Sequence, residues 1–221
     1  VLELFTNKDC SACESAEYTM KRLADQPVAG ATLIRIAYHV SFVEGAGTDP
    51  YVLQAATQRQ QSYDAARGRT YTPQAIVDGD REFVGSEDET ARAAIAAAAR
   101  QPKVSVDVTR SARFVGPGAL AISIRYGSMG ARRAGLTLVL TEKGLLDIHH
   151  GGLIEYDRRP LAPIVRSMQE LGVASPGGGA TEATVTLPAG TVRANLTAVV
   201  LLSDTTNHHI LGAGAVEAGI L

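Results

Sequence analysis

Two hydrophobic periodicities divide the chain. From Val1 to about Gln101, short apolar runs alternate with amphipathic stretches, the pattern of mixed α/β units. The spacing predicts strand 2–6, a helix from about Cys10 to Ala24, strand 32–39, a helix from about Pro50 to Arg67, strands 74–78 and 82–84, and a helix over 87–100. Ser86, with Glu89 three residues on, reads as a capping box for that last helix, and ARAAIAAAAR supplies its propensity. Glu87, Asp88 and Glu89 at its start complement the helix dipole, a structural role.

After Pro102 the period changes to two. Val104, Val106 and Val108, then Leu120, Ile122 and Ile124, then Leu136, Leu138 and Leu140 alternate with polar residues, as half-buried strands do. Further strands are predicted at 182–187, 192–202 and 208–216. Leu161, Ile164, Val165, Met168 and Leu171 recur at helical spacing with Gly172 as a stop, so one helix is expected to cover an edge or end of a β-sandwich. The pattern therefore predicts an α/β domain over 1–101 and a mostly-β, β-sandwich-like domain containing one helix over 102–221.

Composition narrows the function classes. A net charge of −2 gives no basic footprint for nucleic acid. The longest apolar stretches, 93–99 and 196–202, are far shorter than the roughly 20 residues of a membrane-spanning helix, so a soluble chain is expected. It opens directly on a strand, implying that a leader was removed or never existed. With two cysteines, neither a multi-disulfide scaffold nor a four-cysteine zinc site can form.

Those two cysteines carry the best chemical clue. In a helix, Cys10 and Cys13 share a face and can reach bonding distance. Asp9 as N-cap would place Cys10 in the first turn, where backbone amides and the dipole favour a thiolate, making Cys10 the nucleophile and Cys13 the resolving thiol. The strand LELF running through a short loop into a helix that opens with CSAC is the context of a thioredoxin-like motif. Thr72-Pro73 in YTPQAIVDG resembles the Thr-Pro of thioredoxin-fold proteins, in which the proline is cis and lies against the cysteine pair. On these grounds the first half is read as a thioredoxin-like α/β domain.

The segments LELFTNKDCSAC at 2–13, IAYHV at 36–40, TDP at 48–50, TQRQQSY at 57–63, YTPQAIVDG at 71–79 and VGS at 84–86 resemble a bacterial family of secreted thioredoxin-fold proteins, domain of unknown function 1223. The resemblance implies a periplasmic or secreted protein with a thioredoxin-like first domain and a β-rich second one, and supplies no substrate. The chain departs from the family at Glu14 and Ser15, where two prolines are usual, at VSFVEGAG after His39, and at HHGGLIEYDRRPL.

The expected function is thiol-disulfide oxidoreduction on protein or small-molecule thiols and disulfides, with no bound cofactor. Cys10, Cys13 and Pro73 are the expected catalytic residues. Thr72, His39, Gln58 and Arg59 are expected to bind substrate, although His39 also reads as a hydrogen-bonded structural histidine and Gln58, Arg59 and Gln60 as a solvated helix face. His149-His150 and His208-His209 read as surface or packing residues, since neighbours on a strand point to opposite faces. Two alternatives stand beside this: a metal-binding or delivery protein holding Cu(I) through both thiolates, with or without His39, and an interaction module with a static disulfide.

Overall fold

The computed structural model describes residues 1–41, 48–67, 69–149 and 157–219. Along the chain run β1 (Leu2–Thr6), α1 (Cys13–Asp25), β2 (Arg35–His39), α2 (Gln54–Arg67), β3 (Gln74–Val77), β4 (Arg81–Val84) and α3 (Asp88–Ala99). There follow β5 (Val106–Arg110), β6 (Ala119–Tyr126), β7 (Ala134–Glu142), β8 (Leu146–His149), β9 (Asp157–Pro160), β10 (Ile164–Val173), β11 (Gly179–Thr186), β12 (Leu196–Asp204) and β13 (Ile210–Glu217).

Eight strands form one mixed sheet in the order β13-β12-β7-β10-β2-β1-β3-β4, and β11-β6-β5 form a second sheet. This corrects the expected fold class of a thioredoxin-like domain followed by a separate β-sandwich-like domain. The two halves of the chain share the large sheet: β10 pairs in parallel with β2 through Ile164 and Ala37, and the Ala37 N–H donates to the Pro163 carbonyl at 2.8 Å.

The missing piece was β10, which the sequence reading takes for a helix. Its register against β7 slips between Val165 and Ser167 and again between Glu170 and Gly172. Each slip inserts a residue and resets the two-residue alternation, so Val165 and Met168, three apart, both pack into the same core cluster. A strand broken by bulges thus imitates helical spacing. Without it, β2 would present an unpaired edge.

Alternation on β1 sorts the core. Leu2 and Leu4 face Ala16, Met20 and Leu23 of α1 and Ala91 and Ile95 of α3, whereas Phe5 faces Ala56 and Tyr63 of α2. Phe5 stacks on Tyr38, with ring centroids 5.1 Å apart. Farther along, Val106, Val108, Ile122 and Ile124 of the small sheet pack on Leu136, Leu138, Leu140, Val200 and Leu202 of the large one. Each fully buried side chain of this size contributes about 1.5–3 kcal/mol.

The capping box expected for α3 does not form. Glu87 occupies the cap position without a side-chain bond, while Asp88 and Glu89 do lie in the first turn. Asp88 also accepts a bond from Arg92 at 2.9 Å.

Two glycines let the small sheet cross the edge of the large one. A Cβ at Gly212 or Gly214 would fall on the carbonyl oxygen of Val104 or Val106, and no rotamer change relieves a clash with backbone. Gly214→Ala is expected to lower stability to urea by about 1–3 kcal/mol. Gly118→Ala, where no atom lies within 4 Å, is the control and should leave the unfolding midpoint nearly unchanged.

Candidate redox site

The cysteine loop begins where β1 ends. Asn7 turns the chain by accepting the Asp9 N–H on its side-chain oxygen at 2.8 Å, and its amide nitrogen donates to the Val40 carbonyl at 2.8 Å. The Cys10 N–H donates to the Asn7 carbonyl at 3.2 Å and the Cys13 N–H to the Cys10 carbonyl at 2.9 Å. Cys10 and Cys13 form a disulfide with Cα atoms 5.4 Å apart.

The helix start differs from expectation. Ala12 is the cap residue and makes no side-chain bond. Asp9 is engaged elsewhere, accepting the Thr48 N–H at 2.8 Å and the Thr48 hydroxyl at 2.7 Å. Cys13 is therefore the first residue of α1 and Cys10 precedes the helix. Cys13 is 2% exposed, on the stripe with Ala16 and Met20, while Cys10 is half-buried.

The Thr72–Pro73 peptide bond is cis and leads into β3. The Thr72 hydroxyl donates to the Cys10 Sγ at 3.6 Å. Buried Gln60 fixes this segment by donating to the Tyr71 carbonyl at 2.9 Å and to the Gln74 Oε1 at 2.8 Å, and the Gly85 N–H holds the Pro73 carbonyl at 2.9 Å. Cys10, Cys13 and Thr72 are thus brought together, and Pro73 follows Thr72 in the chain as a buried residue.

His39 closes β2 opposite Thr6, the last residue of β1. Its side chain is 1% exposed, and its Nδ1 lies 2.6 Å from the Asp49 Oδ2. The same oxygen accepts the Lys8 N–H at 2.9 Å, and Oδ1 accepts the Tyr51 N–H at 2.9 Å. Burial alone would raise the Asp49 carboxyl, but the bonds from His39, Lys8 and Tyr51 outweigh it and hold the group below its ordinary range.

Gln58 and Arg59 do not join the cysteines. Gln58 is exposed and lines a groove of about 430 Å³ between α2 and the strands β7 and β10. Arg59 turns inward. Its Nε donates to the Glu3 Oε1 at 2.5 Å and its Nη2 to the Tyr63 hydroxyl at 3.1 Å, and that hydroxyl donates to the Glu3 Oε2 at 2.6 Å. The guanidinium also lies over the Tyr38 and Tyr63 rings. Burial would lower its pKa, and Glu3 with the two tyrosines reverses the shift and raises it. Arg59 is the counter-ion of a fully buried carboxylate.

Among the described residues, no three of His, Cys, Asp or Glu are grouped to hold a metal. His150 and the segment 150–156 lie outside the described residues, as do 42–47 after Ser41. His208 and His209 precede β13 rather than lying on it, and His208 meets the Tyr63 ring edge-on at 5.8 Å.

Sequence reasoning missed Asp49, Glu3 and Gln74. Asp49 lies in the TDP segment, which carried no assigned role. Glu3 was the legible one, since a charge at the centre of VLELF must be buried with a partner.

Fold and site together define a CxxC-disulfide protein built on one mixed sheet that runs through both halves of the chain. The chain belongs to the family described as Protein of unknown function (DUF1223), whose model matches residues 1–203. The search of curated proteins gives no match. HBP35 of Porphyromonas gingivalis is similar in structure, with a TM-score of 0.69 and 13% identity over 98% of this chain and 74% of that one. Because that likeness spans both halves, it supports the single shared architecture. A domain of the outer membrane lipoprotein Omp28 from Porphyromonas gingivalis matches at a TM-score of 0.34 and 9% identity, over 53% of this chain and 89% of that one. The sporulation control protein Spo0M from Bacillus subtilis matches at 0.37 and 16%, over 52% and 48%. These two matches bear on neither fold nor function.

Arg59→Met is expected to cost about 3–5 kcal/mol in chemical denaturation, because it strands the Glu3 charge. Adding Glu3→Gln should recover part of that loss. Asp49 gives a pH test: its folded value is depressed, so its contribution is present above the unfolded value of about 3.9 and disappears as pH falls through the lower folded one. Asp49→Asn should therefore be less stable than wild type near neutrality, with the gap closing in acid denaturation curves below about pH 4.

Proposed function

We propose that the Cys10–Cys13 pair is redox-active and exchanges with disulfides of protein or small-molecule partners. The observation that carries this reading is the asymmetry of the two cysteines: Cys10 is half-buried and accepts a hydroxyl bond from Thr72, while Cys13 is buried at the start of α1. In the reduced protein the Cys10 thiolate attacks one sulfur of a partner disulfide, and the other partner sulfur leaves as a thiolate. Cys13, as thiolate, then attacks the Cys10 sulfur, closing the internal bond and releasing the second partner thiolate. Two electrons pass from the pair to the partner. The reverse sequence oxidises a partner dithiol.

The small ring argues in the same direction. A loop of about four residues gains roughly 2 kcal/mol of chain-entropy stabilisation, against about 3 for fifteen residues. The turn is also held by its own backbone bonds. As a brace the disulfide adds little. An oxidising extracytoplasmic compartment is the setting we propose for it.

Within the proposal Thr72 and Pro73 shape the surface that a partner meets, and the Thr72 hydroxyl stabilises the Cys10 thiolate. In glutathione buffers, the pair is expected to interconvert reversibly between dithiol and disulfide, followed by rapid alkylation and mass spectrometry. Cys10→Ser should abolish exchange, and Cys13→Ser should accumulate mixed disulfides through Cys10. A pair that never cycles would make it a static disulfide and sink the reading.

A further inference from the structure

The His39–Asp49 pair is more than the hydrogen-bonded core histidine that burial alone would explain. Asp49, as a carboxylate, can only accept, so the Nδ1 facing it carries the proton. In the neutral tautomer that this bond selects, Nε2 is the free lone pair. Nε2 is buried and has no hydrogen-bond partner among the described residues.

This orphaned base lies at the end of the sheet that bears the cysteine loop. His39 is the register partner of Thr6, one residue before Asn7, where the loop starts. It is two residues along β2 from Ala37, which packs with Ala16 and Met20 of α1 in one cluster, so His39 lies on the face that α1 covers. Cys13 is the buried first residue of α1 on the stripe that packs against that face. The Asp49 Oδ2 that orients His39 also holds the Lys8 N–H, two residues before Cys10. Buried or partly buried ionisable groups on the surrounding elements include Glu17 on α1, Tyr51, whose ring meets His39 edge-on at 5.4 Å, and Arg166 on β10, which lies over Tyr51 and bonds Glu142 at 2.6 Å.

We propose that His39 is the proton acceptor for Cys13, oriented by Asp49. The inference rests on the exchange reading above. Cys13 must lose its proton to attack, and it is sealed from solvent bases. In the resolving step the Cys13 S–H proton passes to Nε2, the Cys13 thiolate attacks the Cys10 sulfur of the mixed disulfide, the Cys10–partner bond breaks, and the partner thiolate leaves and takes up a proton. The imidazolium formed beside Asp49 is paired from the outset.

The test is single-turnover reaction of the reduced protein with dithiobis(nitrobenzoate), which releases one coloured thiolate when Cys10 attacks and a second when Cys13 resolves. His39→Gln is expected to leave the first release unchanged and slow the second roughly 100-fold near neutral pH. The deficit should shrink as pH rises and the Cys13 thiol ionises without the acceptor. Asp49→Asn should show a smaller defect in the same step. A second release as fast as in wild type, or both releases slowed equally, would overturn the proposal. Absence of the first release from the wild-type protein would instead overturn the exchange reading, and this inference with it. In unsubstituted protein, the NMR signals of the His39 ring should differ between dithiol and disulfide forms, and identical spectra would overturn the role.

Discussion

The parallel contact between β2 and β10 is the constraint on which the rest depends. The register pair of Ile164 with Ala37, with the Ala37 N–H donating to the Pro163 carbonyl, joins the strands that carry the cysteine loop to those that carry the β-rich half. On one side of this seam, β1 ends at Thr6, just before the cysteine loop, and β2 ends at His39. On the other, β10, β7 and β12 form the floor on which the small sheet packs. Because the sheet is continuous, the β-rich half supports the edge of β2 directly.

Charged groups in the interior are placed in paired sets. Glu3, Arg59 and Tyr63 satisfy one another beneath α2. On the opposite face, Asp49 gathers His39, Lys8 and Tyr51, and Arg166 pairs with Glu142, whose second oxygen accepts the Val192 N–H at 2.8 Å. Such sets tolerate burial because each charge meets an opposite charge or several donors. The Asp49 set also holds the approach to Cys10, so the same residues that make the core consistent help set where the Cys10 sulfur lies.

Much of the first half was legible in the chain. β1, β3, β4 and all three helices of residues 1–101 fall close to where periodicity places them, and CSAC with Thr72-Pro73 pointed to a shared location that the Thr72–Cys10 bond realises. What failed has identifiable causes. Two bulges in β10 erased its alternation and hid the seam between the halves. Asp9 looked like a cap because a short acidic residue preceded a helix, yet its strongest partner, Thr48, is 39 positions away. Arg59 looked solvent-facing on a polar helix, since nothing local reveals that Glu3 lies beneath it. Local pattern sees neighbours along the chain, and these interactions are between residues far apart in it.

The crossing at Gly212 and Gly214 bears on how molecules of this protein meet one another. A wide sheet with apolar central strands offers its two borders as templates for another chain's strands. Here β5 lies across the β13 border, where the Val104 N–H already occupies the Leu211 carbonyl at 2.8 Å. The opposite border, β4, has four residues, with Arg81 and Glu82 among them. One border is roofed and the other is short and charged, so strand-by-strand polymerisation finds no long, flat place to begin.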